Sequence, residues 1–136
     1  MSDTDSFNDQ QLFAKVLWGE ARGESYKGQQ AVASVVMNRV NQPRWWGHDI
    51  RSVLTKPYQF SCLNQSDPNR PKLLEVGEED GTYRQCYFIA GIAIAGTLID
   101  VTGGATSYCT LETNPNWSIG LTPTIIIGHH KFYMID

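Results

Sequence analysis

The sequence predicts an α+β domain in which helices come first and a small antiparallel sheet lies at the C-terminal end. Apolar residues recur at helical spacing as far as about Leu98, and Gly103-Gly104 then interrupts this pattern. β-branched and aromatic residues follow in Ala105–Leu111 and Ile125–Ile135, which we predict to be strands. With 136 residues, 41% of them hydrophobic, the chain can form one hydrophobic core, so we expect a single domain over residues 1–136.

The first two helices are predicted from the spacing of their apolar residues. One amphipathic helix should run from Asp9, its expected N-cap, to about Arg22. Its apolar face consists of Leu12, Phe13, Val16 and Leu17. A second helix is expected from Ser25 or Tyr26 to about Val40, with Pro43 just beyond its end.

The middle of the chain combines short turns with one long apolar helix. Asp49–Thr55 should form a short helical turn that Pro57 ends, and residues 61–72 form a turn-rich loop. A third long helix is expected over about Glu79 to Leu98. Its apolar segment, Cys86–Ile99, would span only about 21 Å, whereas a bilayer core needs about 30 Å. We therefore predict a buried helix and no membrane insertion.

The composition argues against two classes of protein. Four Trp, six Tyr and five Phe are too many for a disordered chain, and a net charge of −3 argues against a nucleic-acid binder. Cys62, Cys86 and Cys109 lack the spacing of metal ligands, so we expect reduced, packed thiols, no metal site and no cofactor. The polar start Met1–Asp5 has no apolar signal segment, which predicts synthesis in the cytoplasm.

Glu20 is the residue most indicative of chemistry. It lies four positions after Val16 and three after Leu17, so it should project from the apolar face of the first helix. Burial raises the pKa of a carboxyl group, and a protonated carboxyl beside a cleft can act as a general acid on a glycosidic oxygen. The alternative is structural, with Glu20 paired to Arg22, Arg39 or a backbone donor.

Four blocks of sequence resemble the SleB-like cell wall hydrolases, a family that includes spore-cortex-lytic enzymes and phage endolysins. The first block begins with WGEARGESYKGQQAVA at residues 18–33 and extends to Asn38-Arg39-Val40. The others are YQFSC at residues 58–62, GGATSY at residues 103–108 and IGHHKFY at residues 127–133. They occur in the family's order and spacing, and they cover nearly the whole domain.

The resemblance implies a compact, lysozyme-like fold that cleaves the β-1,4 bond between N-acetylmuramic acid (MurNAc) and N-acetylglucosamine (GlcNAc) in peptidoglycan. In that family the first glutamate of the EARGE run is the catalytic acid, and here it is Glu20. Glu24 is the second glutamate of the run. It could contact substrate, orient Arg22 or favour the N-terminus of the next helix.

The mechanism depends on whether a second carboxylate faces Glu20. Glycosidases normally place a partner carboxylate about 5–9.5 Å away, and no Asp or Glu stands out for this role. We therefore expect Glu20 to act as both acid and base while the muramic acid's own O6 hydroxyl attacks the anomeric carbon. This reaction is lytic transglycosylation, and it leaves a 1,6-anhydro end. Attack by water stays open as the alternative.

Several residues are predicted to bind substrate through ring faces, amides or hydroxyls. Trp45-Trp46, Tyr58, Tyr108 and Trp117 lie in loops or at strand ends, where a ring could stack on a sugar, although each also suits a core. Adjacent residues on a strand point to opposite faces, so we expect His129 and His130 not to share a site, with His130 in the cleft wall. The predicted binding residues are Glu24, Trp46, Gln59, Phe60, Ser61, Tyr108 and His130.

We thus predict a monomeric peptidoglycan-degrading enzyme, and the setting we expect is that of a phage endolysin. Such a protein waits in the host cytoplasm until a holin opens the membrane, and it then acts on the cell wall. A hydrolytic muramidase and a catalytically silent glycan-binding module are the alternatives. A thiol amidase or peptidase using Cys62 or Cys109 is disfavoured, because nothing in the sequence around either cysteine activates a thiol.

Overall fold

The computed structural model describes residues 3–57 and 59–135. The helices are α1 (Asp9–Ala21), α2 (Tyr26–Asn41), α3 (Ile50–Thr55), α4 (Arg70–Glu75) and α5 (Gly81–Ile94), and the strands are β1 (Ser107–Thr110), β2 (Ile125–Ile127) and β3 (His130–Tyr133). The predicted α+β order, helices before a small antiparallel sheet, is confirmed. No described helix is long and apolar enough to cross a bilayer.

α1 is the central helix, and it packs against the other four helices. Every residue from Leu12 to Trp18 is buried, which accounts for the regular apolar spacing of this helix. The expected N-cap was wrong by one residue. Asn8 accepts a hydrogen bond from the Gln11 backbone N–H, and the Gln11 side chain accepts one from the Asn8 backbone N–H. Asp9 instead pairs with Arg51 at the surface.

The segment predicted as a turn-rich loop contains a short 3₁₀ helix, Ser61–Leu63, and the first residues of α4. Pro71 suggests a turn, but it occupies the first turn of α4, where a missing N–H costs nothing. The buried Lys15 side chain fixes the other end of α4, because its ammonium donates to the carbonyls of Leu73, Leu74 and Val76. α4 therefore depends on a contact with α1.

The C-terminal sheet has the strand order β1-β3-β2, and both pairings are antiparallel. The single strand predicted over Ile125–Ile135 was wrong, because Gly128 has a φ of +58° and turns the chain between β2 and β3. The sheet packs on α2 through a small core of Ala31, Val35, Ala105, Ile127 and Phe132. This packing brings the start of β3 close to the junction between α1 and α2.

α5 ends earlier than the sequence suggested. It stops at Ile94 and not near Leu98, because Gly96 takes a left-handed φ of +79° just beyond the last turn. The buried residues of α5 pack against α1, and this pair forms the larger core of the domain.

Candidate active site

Glu20 lies in the last turn of α1 and faces the interior, as predicted. It follows Val16 and Leu17, which are fully buried, by one helical turn. The Tyr108 hydroxyl on β1 donates a 2.8 Å hydrogen bond to Glu20 Oε1. The carboxyl therefore lies where the helical layer meets the sheet.

A cleft of about 300 Å³ opens over Glu20. Its lining residues are Glu20, Arg39, Gln59, Ser61, Tyr108, Cys109, Thr110 and His130. Glu20 is the only carboxylate among the described residues of this lining. The cleft thus combines one acid with amide, hydroxyl, imidazole and guanidinium groups that can hydrogen-bond a polar ligand.

Burial is the main reason that the pKa of Glu20 is raised above the usual value for glutamate. Hydrogen bonds from Tyr108 and Cys62 oppose the rise, and the charge of Asp67 adds to it. The pKa of Tyr108 is also raised, through burial and the neighbouring Glu20, so the phenol stays protonated and remains a donor. The raised pKa favours the protonated form of Glu20, and the Tyr108 hydroxyl can still donate a hydrogen bond to Glu20 when the carboxyl is ionised.

The Cys62 thiol lies beside Glu20 in an environment that does not activate it. Burial and the charge of Glu20 raise the pKa of Cys62, so the thiolate is disfavoured. Cys109 lines the cleft, and its thiol donates weakly to the carbonyl of Thr113. This environment gives no support to the amidase or peptidase alternative.

Glu24 holds the turn before β3 and does not line the cleft over Glu20. Its side chain is 6% exposed, and its carboxylate accepts a 2.8 Å hydrogen bond from the His129 backbone N–H. The same carboxylate lies 2.8 Å from His129 Nδ1 and 2.9 Å from His130 Nδ1. A Cβ atom at Gly128 would lie 2.8 Å from Glu24 Oε1, so the turn needs glycine there. We name Glu24, His129 and His130 the Glu24 clamp.

The Glu24 clamp corrects two expectations. The two histidines were expected not to share a site, but His129 precedes β3 and lies in the turn, so both rings reach one carboxylate. The Glu24 carboxylate is occupied by the clamp and does not line the cleft, so the binding role predicted for it stays a prediction. Glu24 does not orient Arg22 either, since Arg22 donates to Asn69 and stacks on Trp18.

His130 connects the Glu24 clamp to the cleft. It is 8% exposed, lines the cleft, and meets the Tyr108 ring edge-on with ring centres 5.2 Å apart. Tyr108 in turn donates to Glu20. The contacts form a continuous path from Glu24 through His130 and Tyr108 to the carboxyl of Glu20.

The remaining predicted binding residues divide into two groups. Gln59 and Ser61 line the cleft with Glu20, and their binding role stays a prediction. Trp46 and Phe60 are only 1% and 2% exposed, and of the two only Trp46 lines a cavity, the one that adjoins this cleft. Their predicted binding roles stay predictions. The Trp46 indole N–H donates to the carbonyls of Arg39 and Gln42, which makes it a core ring. Tyr58 lies outside the described residues.

Arg39 is a site residue for which the sequence predicts only a structural pairing with Glu20. It is 5% exposed, lines the cleft, and donates from Nε to the Thr106 carbonyl at 2.7 Å. Among the described residues its Nη1 atom has no hydrogen-bond partner. The sequence feature that points to Arg39 is its place on the buried face of α2, seven residues after Val32 and three after Val36.

The Cell Wall Hydrolase family model matches residues 23–133. The chain is 35% identical over 128 residues to the spore cortex-lytic enzyme of Halalkalibacterium halodurans, covering 93% of this chain and 35% of that protein. It is 41% identical over 58 residues to the spore cortex-lytic enzyme of Bacillus subtilis, covering 43% of this chain and 19% of the relative. The chain therefore spans about a third or less of the length of these curated relatives.

Two solved structures share the fold. The catalytic domain of the Bacillus cereus SleB protein aligns with a TM-score of 0.70 at 29% identity, covering 91% of this chain and 88% of that domain. The catalytic domain of the germination-specific lytic transglycosylase SleB from Bacillus anthracis aligns with a TM-score of 0.71 at 28% identity, covering 91% and 92%. The resemblance read from the four sequence blocks is thus confirmed, and the chain belongs to the cell wall hydrolase family.

Proposed function

We propose that this domain cleaves the MurNAc-β-1,4-GlcNAc bond of peptidoglycan as a lytic transglycosylase, with Glu20 as its general acid and base. The observation that carries the proposal is a carboxyl of raised pKa, hydrogen-bonded by Tyr108, in a polar cleft. The similarity to a catalytic domain described as a germination-specific lytic transglycosylase supports the same reaction.

The proposed reaction needs one proton-transfer group. Protonated Glu20 gives its proton to the glycosidic oxygen as the bond from the muramic acid C1 to that oxygen breaks. The resulting carboxylate takes the proton of the C6 hydroxyl, whose oxygen bonds to C1 and closes the 1,6-anhydro ring. Glu20 is then protonated again, and no water is consumed. The Tyr108 hydroxyl stabilises the carboxylate formed between the two steps.

The absence of a second carboxylate from the described cleft lining supports O6 over water as the attacking group. Asp67 raises the pKa of Glu20 through its charge, but it is not among those lining residues. Its Oδ1 accepts the backbone N–H of Asn69 and shapes the turn before α4. A water-using muramidase of the same fold remains the alternative reaction.

The biological setting we propose is lysis of a bacterial host by a monomeric phage endolysin released through a holin. The competing setting is suggested by the relatives, which are named spore cortex-lytic enzymes. Purified vegetative sacculi and purified cortex fragments, digested side by side, separate the two settings. Faster release of fragments from vegetative sacculi supports the endolysin role, and release from cortex alone contradicts it.

The variant Glu20→Gln tests the role of Glu20, because it keeps the shape of the side chain and removes the acidic proton. We expect lysis of permeabilised cells to slow by roughly 10²–10⁴-fold while binding to sacculi is retained. Glu75→Gln, at an exposed position on α4, is the matched control and should lyse like the parent. A Glu20→Gln protein that lyses as fast as the parent would show that Glu20 is misassigned. A parent protein that binds sacculi but releases no fragments would favour the glycan-binding module.

A further inference from the structure

A second cavity of about 270 Å³ adjoins the cleft over Glu20. It shares Arg39, Gln59 and Tyr108 with that cleft, so the two form one groove. Trp45, Ser107 and Trp117 belong to the second cavity alone. We name this region the aromatic end of the groove.

Two exposed indole rings mark the aromatic end. Trp45 is 60% exposed and Trp117 is 40% exposed, although large rings usually lie inside a fold of this size. Each packs against a buried ring. The ring centres of Trp45 and Trp46 are 5.4 Å apart, and those of Trp117 and Tyr133 are 5.3 Å apart. Both exposed rings are therefore supported in place before a ligand arrives.

Polar groups line the same groove as the two rings and the Glu20 carboxyl. Ser107 and the half-buried Gln59 offer a hydroxyl and an amide. The Arg39 guanidinium is buried in the shared wall, and its Nη1 has no hydrogen-bond partner among the described residues. A flat apolar face beside hydrogen-bonding groups matches an N-acetylated pyranose, which has an apolar ring face, hydroxyls at its edge and an acyl carbonyl.

We propose that the aromatic end is a second carbohydrate subsite, in which Trp45 and Trp117 hold a sugar of the same glycan strand that is being cleaved at Glu20. This inference rests on the proposed function for the identity of the polymer. The shared residues Gln59 and Tyr108 place the two sugars on one continuous path. The strand therefore runs from Glu20 past Tyr108 toward Trp45.

The test measures binding without turnover, in the Glu20→Gln background, by calorimetric titration with a soluble MurNAc-GlcNAc tetrasaccharide. Adding Trp45→Ala or Trp117→Ala should weaken tetrasaccharide binding by roughly fivefold or more in each case. Phe88→Ala is the matched control, because Phe88 is 59% exposed on α5 and lines neither cavity. It should bind like the background protein.

Retention of the background affinity by either tryptophan variant would overturn the proposal, as would an equal loss in Phe88→Ala. Trp45→Leu and Trp117→Leu give a second measurement if an alanine variant fails to fold, because leucine keeps apolar bulk but offers no flat face. The same loss is expected for them. Failure of the proposed function has a different signature, since it would appear as undiminished lysis by Glu20→Gln and would leave these binding results intact.

Discussion

The variant Tyr108→Phe tests the electrostatics of the Glu20 carboxyl directly. The Tyr108 hydroxyl donates to Glu20 Oε1 at 2.8 Å, and this bond opposes the burial that raises the pKa of Glu20. A hydrogen bond to a charged acceptor contributes about 1.5–3 kcal/mol, which corresponds to about one to two pH units. Phenylalanine removes the hydroxyl but keeps the ring that packs against His130 and Phe132.

The expected result is a displaced pH profile. The proposed mechanism needs protonated Glu20, so it predicts that activity falls as pH rises through the pKa of that carboxyl. Without the hydroxyl the ionised form is less stable, and the alkaline limb of kcat/KM should move to higher pH by about one unit or more. Tyr83→Phe, at a buried position on α5, is the control and should keep the parent profile. An alkaline limb that stays in place or moves to lower pH in Tyr108→Phe would refute the reasoning.

Two further predictions concern stability. Gly19→Ala should lower the free energy of unfolding by about 1–3 kcal/mol, because a Cβ at Gly19 would lie 2.9 Å from Cys62 Cβ and Sγ. Gly23→Ala, whose Cβ would meet nothing within 4 Å, is the control in thermal denaturation, and equal losses in both would contradict the packing argument. Glu24→Gln should cost about 1–3 kcal/mol at neutral pH by weakening the Glu24 clamp. Burial raises the pKa of Glu24, but the hydrogen bonds of His129 and the charge and hydrogen bond of His130 outweigh it, so that pKa is lowered, and Glu24 in turn raises the pKa of His129. The parent's advantage over Glu24→Gln should therefore be full between about pH 4.5 and 6.5, and it should shrink both as pH falls through the lowered pKa of Glu24 and as pH rises through the raised pKa of His129. A stability difference that does not change with pH would count against the ionised clamp.

The parts of the fold that the sequence predicts well are those with regular spacing. α1 and α2 bury continuous faces, so apolar residues recur at helical intervals and Glu20 appears as an exception on a buried face. α4 is only six residues long and depends on Lys15 of α1, so its own sequence resembles a loop. Gly128 separates β2 from β3 within one apolar run, and periodicity alone does not reveal that turn.

The candidate site also contains some residues that their sequence neighbours reveal and others that only the three-dimensional fold brings together. Position and motif together single out Glu20 as a candidate, because both depend on neighbours along α1. The Glu24 clamp joins residues more than a hundred positions apart, and its geometry depends on the turn at Gly128. Trp45 and Trp46 lie in a segment without helical or strand periodicity, so the sequence does not show which ring is buried.

The origin of the oxygen at the new muramic acid end tests the proposed chemistry most directly. Purified sacculi would be digested in ¹⁸O-enriched water by the parent and by Glu20→Gln, and the released fragments analysed by mass spectrometry. Internal attack by O6 predicts 1,6-anhydro ends that carry no ¹⁸O, formed by the parent and not by Glu20→Gln. Reducing ends labelled with ¹⁸O, or fragments cut only at peptide or amide bonds, would contradict it.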